Sequence, residues 1–223
     1  MKYSFEEEKM LFLEKMNIGR SSHSMVFLND FIYVIGGFDE NNQMTKQCEK
    51  FSLKNFKWDL APSLNFGCAS SAVCAFQNKF LFKFGGIGED LQLSPYIECF
   101  DQERNSWVLL DPKIEKVPLN EFALLSSSSC VQINSNDILI FGGYFEDNTA
   151  SNICFVFQVS DNVICFDGVQ QLPIAEGFWN NNPVVCDGKV YAVQNVAAEN
   201  SNNCIENERK VLTFFNGNWN IIC

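Results

Sequence analysis

Short apolar runs, most of them about five residues long and separated by clusters of Asn, Asp, Gly and Lys, follow one another along nearly the whole chain. They fall into groups of four. The first group is SHSMVFL (22–28), FIYVI (31–35), QCEKFSL (47–53) and FKWDL (56–60), with Asn29-Asp30 and Lys54-Asn55 as turns. The second is SSAVCAF, FLFKF, YIECFD and SWVLL, and the third is SSSCVQI, ILIF, ICFVFQV and VICF. A fourth, over roughly 178–223, reads NPVVC, KVYAV, a long polar loop, KVLTFF and WNIIC. Runs rich in β-branched and aromatic side chains and bounded by turn residues predict strands. No window sustains a 3.6-residue period with helix caps, so the expected class is all-β.

The groups are copies of one unit. The second run of the first three ends in a glycine pair, Gly36-Gly37, Gly85-Gly86 and Gly142-Gly143, and a phenylalanine stands fourteen residues after each pair: Phe51, Phe100 and Phe157. Seven residues further come Trp58, Trp107 and, in the third unit, Ile164. A motif recurring every 49 to 57 residues marks a repeat architecture. Glycine tolerates positive φ and the close passage of another backbone, so the pairs mark sharp turns where sheets crowd together. The aromatic residues then fill the space between sheets. The fourth unit has Gln194-Asn195 where the glycines are expected, and Trp219 closes it.

This combination resembles the kelch repeat, in which a glycine pair, a later aromatic and a tryptophan mark one four-stranded blade of a β-propeller. The resemblance extends to Arg20 and His23, to Glu49-x-Phe51-Ser52 and Glu98-x-Phe100-Asp101, and to Trp58 and Trp107, and it spans residues 20–223. It implies a β-propeller of about four kelch-like blades: 20–65, 66–111, 112–171 with a long leading loop, and a degenerate 172–223. Residues 13–20 line up with Leu60 to Gly67, so 1–19 is expected to supply an outer strand and linker from a preceding blade. Either four blades close tightly with Tyr3 to Leu13 as an extra edge, or the chain is an arc of a larger ring. The arc is the favoured expectation, completed by further blades or by self-association, because an unpaired blade exposes sheet edges and apolar faces.

Composition narrows the function. Hydrophobic residues make up 47% of the chain, with 22 Phe, which suffices for a continuous core between blades. The apolar runs fall far short of the ~20 residues of a membrane span, and Glu6 to Glu8 replace a secretory leader, so a cytoplasmic protein without membrane contact is expected. Ten cysteines without a C-x-x-C pair, and no N-x-Ser/Thr sequon, favour free buried thiols. A net charge of −11 repels a phosphate backbone, so nucleic acid is not expected; a basic peptide is the sharper alternative to simple solubility.

Chemistry is thinly represented. The one histidine, His23, stands thirteen residues before its glycine pair, where the other units carry Ala72 and Ser129, so it reads as a packed first-strand residue. No metal and no cofactor is expected: there is no Cys/His cluster for zinc, and the copper oxidase that shares the kelch-like propeller needs two histidine ligands where this chain has one histidine. Asp39-Glu40 and Glu89-Asp90 follow the glycines and read as solvated loop carboxylates. The expected function is therefore binding of a protein or peptide, as in a ubiquitin-ligase adaptor or a cytoskeletal binder; the alternative is a propeller enzyme acting on a sugar or small metabolite. Loops joining second to third strands and one blade to the next share a rim: 38–46, 87–95, 144–152 and 196–209, with 111–122 and 172–182. Tyr144, Phe145, Glu146 and Asp147 are candidate contacts there. So are Phe178 and Trp179, although Trp179 serves as readily for an inter-blade spacer.

Overall fold

The computed structural model describes residues 2–4, 6, 8–115, 124–165, 171–173, 183–199 and 205–222, all in strands, turns and loops. Four antiparallel sheets follow one another along the chain as the four blades of a β-propeller. Blade 1 runs Ser24–Leu28, Phe31–Ile35, Cys48–Ser52 and Trp58–Ala61 from inside to outside. Blade 2 runs Ala72–Phe76, Phe80–Phe84, Ile97–Asp101 and Ser106–Leu110 in the same order. Blade 3 comprises Ser129–Gln132, Asp137–Phe141, Cys154–Gln158 and Val163–Cys165, and blade 4 Val184–Cys186, Lys189–Glu199, Ile205–Phe215 and Asn218–Ile221.

Among the described residues three hydrophobic cores join successive blades. Leu28, Tyr33, Ile35 and Cys48 of blade 1 meet Leu81, Phe100 and Trp107 of blade 2. Phe76, Phe82 and Phe84 of blade 2 meet Ile138, Ile140 and Phe157 of blade 3, with Phe82 and Phe157 edge to face at 5.6 Å. Leu139 and Phe141 of blade 3 meet Val190, Leu212, Phe214 and Trp219 of blade 4. Burial of each such side chain stabilises by roughly 1.5–3 kcal/mol. The repeated aromatic pair lies on the face that receives the preceding blade: Phe51 and Trp58 at 5.0 Å, Phe100 and Trp107 at 5.3 Å, Phe214 and Trp219 at 5.1 Å. In blade 3 the smaller Ile164 takes the tryptophan's place and is fully buried. On the corresponding face of blade 1, Met25, Phe27 and Leu60 remain exposed.

In blades 1 and 2 the tryptophan also ties the blade to the segment leading into it. Trp107 Nε1 donates to Pro62 O at 3.0 Å, and Trp58 Nε1 to Glu14 O at 3.1 Å. Asn17 and Asn65 then play one role each: their backbone and side-chain nitrogens donate to Oε2 of Glu49 and Glu98 respectively. The structural alignment is therefore Asn17 with Asn65, one residue away from the pairing of 13–20 with Leu60 to Gly67 that the sequence suggested. The inner hairpin of blade 1 turns through Asn29-Asp30, whereas that of blade 2 turns through three residues, 77–79, so residues ahead of the hairpin correspond at a spacing of 48 (65 − 17) and those after it at 49 (85 − 36). Spacing measured from the glycines is displaced by one on the other side of that turn.

Three further expectations change. In place of a single outer strand, Lys2–Ser4 and Lys9–Leu11 pair with each other as a small antiparallel hairpin. The leading loop of blade 3 begins with a strand, Lys113–Glu115, which adds parallel to Val163–Cys165 as a fifth, outer strand. Finally, Gln194 and Asn195 produce no turn. They pair with Lys210 and Arg209 in a ladder that runs unbroken from Val190 to Glu199, so most of the predicted 196–209 loop is hairpin. Without glycine to take positive φ, the strand simply continues.

Most described cysteines are inside: Cys48, Cys68, Cys74, Cys130 and Cys154 are buried, while Cys186 is exposed. Burial pushes the Cys48 and Cys154 thiols up to about 12, which keeps them protonated.

Candidate functional site

The glycine pairs create the rim. Gly36 and Gly37 have φ of +63° and +97°, and the amide of Gly37 donates at 2.7 Å to Cys68 O, in the segment leading into blade 2. Gly86 makes the same bond to Leu125 O ahead of blade 3. After each turn the chain folds back over its own blade, pairing Phe38 with Ser21, Ile87 with Ala69 and Tyr144 with Ser126. The second-to-third-strand loops and the inter-blade segments are thus stitched into one surface.

Carboxylates shape each loop. Asp39 Oδ1 accepts from the amides of Asn41 and Gln43, and Asp90 Oδ1 from that of Gln92. Asp147 Oδ1 accepts the Thr149 hydroxyl at 2.6 Å and its amide at 2.9 Å, and these bonds hold its carboxyl below the usual value. Glu89 accepts from the Gly67 amide at 3.0 Å, and the Glu40 side chain packs against Gly19. These acids are therefore parts of the loop framework as well as solvated charges.

The predicted contacts divide accordingly. Tyr144 and Phe145 are half-buried, with the Phe145 amide donating to Thr149 O, while Glu146 and Asp147 are exposed at the loop tip. Phe178 and Trp179 lie outside the described residues. The other motif residues serve the scaffold: Gly36, Gly85 and Gly142 lie in the turns, and Trp107 and Trp219 are buried.

Two concave features accompany the loops. The first is a cavity of about 210 Å³ at the mouth of the central channel, lined by Ser22, His23, Ser24, Ser71, Ser128 and Ser129 among others. Strand register places Ser24, not His23, opposite Ala72 and Ser129, because each pairs with the residue before its glycine pair. His23 corresponds to Ser71 and Ser128, a correction with the same hairpin origin as above. Ser24 Oγ donates to Ser71 O at 2.6 Å and Ser128 Oγ to Gly142 O at 3.1 Å, so these hydroxyls are committed to backbone. Among the described residues no carboxylate lines the cavity. Burial, reinforced by Arg20, holds the His23 imidazole below its usual value.

That depression has a measurable sign. An imidazole that resists protonation in the folded chain takes up a proton freely once unfolded, so stability falls as pH drops below about 6.5, the unfolded value. A His23→Ser variant, carrying the side chain that blades 2 and 3 present there, will lose this part of the slope. Urea midpoints at pH about 7.5 and about 5 measure it, and equal pH dependence in both proteins would contradict the assignment.

The second feature is a groove of about 330 Å³ in the rim of blade 2, between Phe66 of the leading segment and Tyr96 ahead of the third strand. The two rings stack with centroids 4.2 Å apart and planes 13° from parallel, yet both stay more than a third exposed. Blade 1 carries Ile18 and Gln47 at these positions. Sequence reasoning missed this pair, and its only signal was that departure from the neighbouring repeat.

Among the described residues no three His, Cys, Asp or Glu side chains are grouped to hold a metal ion, and no helix is long and apolar enough to cross a membrane. Comparison with known proteins gives two findings. A family model, that of the kelch motif, matches residues 19–65. The solved structure of YjhT is similar in fold, with a TM-score of 0.69 at 11% identity, covering 90% of this chain and 70% of that one. No curated protein matches the sequence.

Proposed function

We propose that this chain, a kelch-repeat β-propeller, is a protein-interaction module that takes a protein or peptide partner on its rim loops and carries out no catalysis. The observation that supports this reading is the preformed rim: three loops, each shaped by an aspartate bonded to its own backbone, present exposed side chains at little ordering cost. Such a surface offers affinity without the entropy loss of folding on contact. The channel mouth supports the rival reading, an enzyme for a sugar or small metabolite, more weakly. Among the described residues its one imidazole has no carboxylate partner in the cavity lining to orient it, and two of its hydroxyls are spent on backbone carbonyls.

Affinity capture from cell extract under reducing conditions, read by mass spectrometry, tests the proposal. The control is the same chain with residues 144–149 and 178–180 replaced by Gly and Ser, checked for an unchanged melting temperature. The expected result is a partner retained by the parent and lost by the control. Capture of no loop-dependent partner would overturn the rim reading and shift attention to metabolites at the channel mouth.

A further inference from the structure

We infer that the Phe66–Tyr96 groove is a receptor for a cationic side chain, arginine above all, of a basic peptide. This rests on the rim-binding reading and specifies its chemistry. Each blade of a repeat must keep the residues that hold it to its neighbours, and those positions recur: the glycines, the asparagine that caps the buried glutamate, the aromatic pair. Positions 66 and 96 do not recur. At them blade 1 carries Ile18 and Gln47, so the fold does not require two aromatic rings there. Yet blade 2 holds two large rings in parallel contact at 4.2 Å and leaves them 40% and 36% exposed.

The surroundings select the ligand. Glu89 and Asp90 line the same groove, and among the described residues no lysine or arginine does. Glu89 is oriented by the Gly67 amide through one oxygen and Asp90 by the Gln92 amide through one oxygen, so each carboxylate is fixed in place with a second oxygen still to offer. A planar guanidinium can lie on the exposed ring face while its edge donates to a carboxylate, which combines cation–π attraction with a charge-assisted hydrogen bond. Leu93 and Pro95 complete an apolar wall suited to the side chain's methylene stem. An acidic peptide would meet like charge here, and a net charge of −11 repels it at longer range as well.

The test uses fluorescein-labelled (Arg-Gly)4 as probe and (Glu-Gly)4 as counter-probe, read by fluorescence anisotropy. The key variant is Phe66→Ile with Tyr96→Gln, which copies blade 1, should keep the fold, and leaves the net charge unchanged. Wild type is expected to bind the arginine probe and not the glutamate one, with affinity falling about tenfold in the double variant, the scale of one cation–π contact with its desolvated neighbour. An unchanged affinity in the folded double variant would overturn the inference, since general attraction to an acidic protein would then account for binding. Absence of binding by wild type would overturn it too. The 144–149 replacement separates the two readings: it should abolish partner capture while leaving the affinity for (Arg-Gly)4 intact.

Discussion

Replacing Glu49 by alanine will destabilise the chain by about 3–5 kcal/mol, the cost of leaving a buried charge without its partner. Glu49 and Arg20 pair at 2.9 Å with both side chains wholly shielded from solvent. One glutamate oxygen receives Arg20 and the Ile18 amide; the other receives both nitrogens of Asn17 at 2.7 Å. The Arg20 guanidinium also donates to Gly36 O and Gln47 O, each at 2.8 Å, so the pair ties the leading segment to the second and third strands. Removing the carboxylate strands several donors at once. Urea denaturation of Glu49→Ala, Arg20→Ala and the double variant should give a double-variant loss smaller than the sum of the singles. A loss under about 1 kcal/mol for Glu49→Ala would show that water reaches the site and that the pair is a surface one in energetic terms.

The other blades show why the whole arrangement matters more than any single charge. Blade 2 keeps the glutamate, Glu98, and its asparagine, but has Cys68 where Arg20 stands, and its buried cation lies on the second strand, where Lys83 Nζ and Glu98 Oε1 make no hydrogen bond among the described residues. There Lys83 is the direct cross-strand neighbour of Glu98, and both are fully buried. Blade 3 carries Leu125, Ile140 and Phe155 at the corresponding places, all buried and apolar. Replacing every polar member together is tolerated; removing one is not.

The second large effect is expected at Gly36. A Cβ there would lie 2.3 Å from Cys68 O, a backbone atom of the next blade that cannot rotate aside. The residue also has φ +63°, and that left-handed conformation alone costs a side-chain-bearing residue about 1–2 kcal/mol. Gly36→Ala must therefore either break the 2.7 Å bond from Gly37 to Cys68 O or push the segment leading into blade 2 outward. Gly188→Ala supplies the control. It has φ +71° but none of the described residues within 4 Å of the added carbon, so it should lose only the conformational part. If thermal unfolding shows equal losses for the two variants, the close approach of the blades contributes nothing to the requirement for glycine at 36.

Much of this architecture is legible in the chain because its signals are local. Strand runs bounded by Asn, Asp and Gly need only their own residues to be recognised, and the second glycine of each pair has φ of +97°, +95° or +102°, beyond the +64° reached by any described residue with a side chain. Trp58, Trp107 and Trp219 announce the outer strands because only a gap between sheets accommodates so large a ring at a fixed repeat position. Where the local signal weakened, the reading failed: Gln194-Asn195 carries no turn preference strong enough to show whether the strand stops or continues.

By itself, then, the sequence determined an all-β chain of four repeated sheets, the turns between their strands and the aromatic pairs that separate them, since each depends on a few adjacent residues or on a fixed spacing. The tertiary structure alone decided the alignment of His23 with Ser71 and Ser128, the exchange of Arg20 for Lys83 as the buried cation, and the stacking of Phe66 on Tyr96. Those outcomes arise between residues far apart in the chain. A one-residue change in a hairpin, or a side chain reaching over from a neighbouring strand, changes which groups meet without altering the local pattern from which the fold is read.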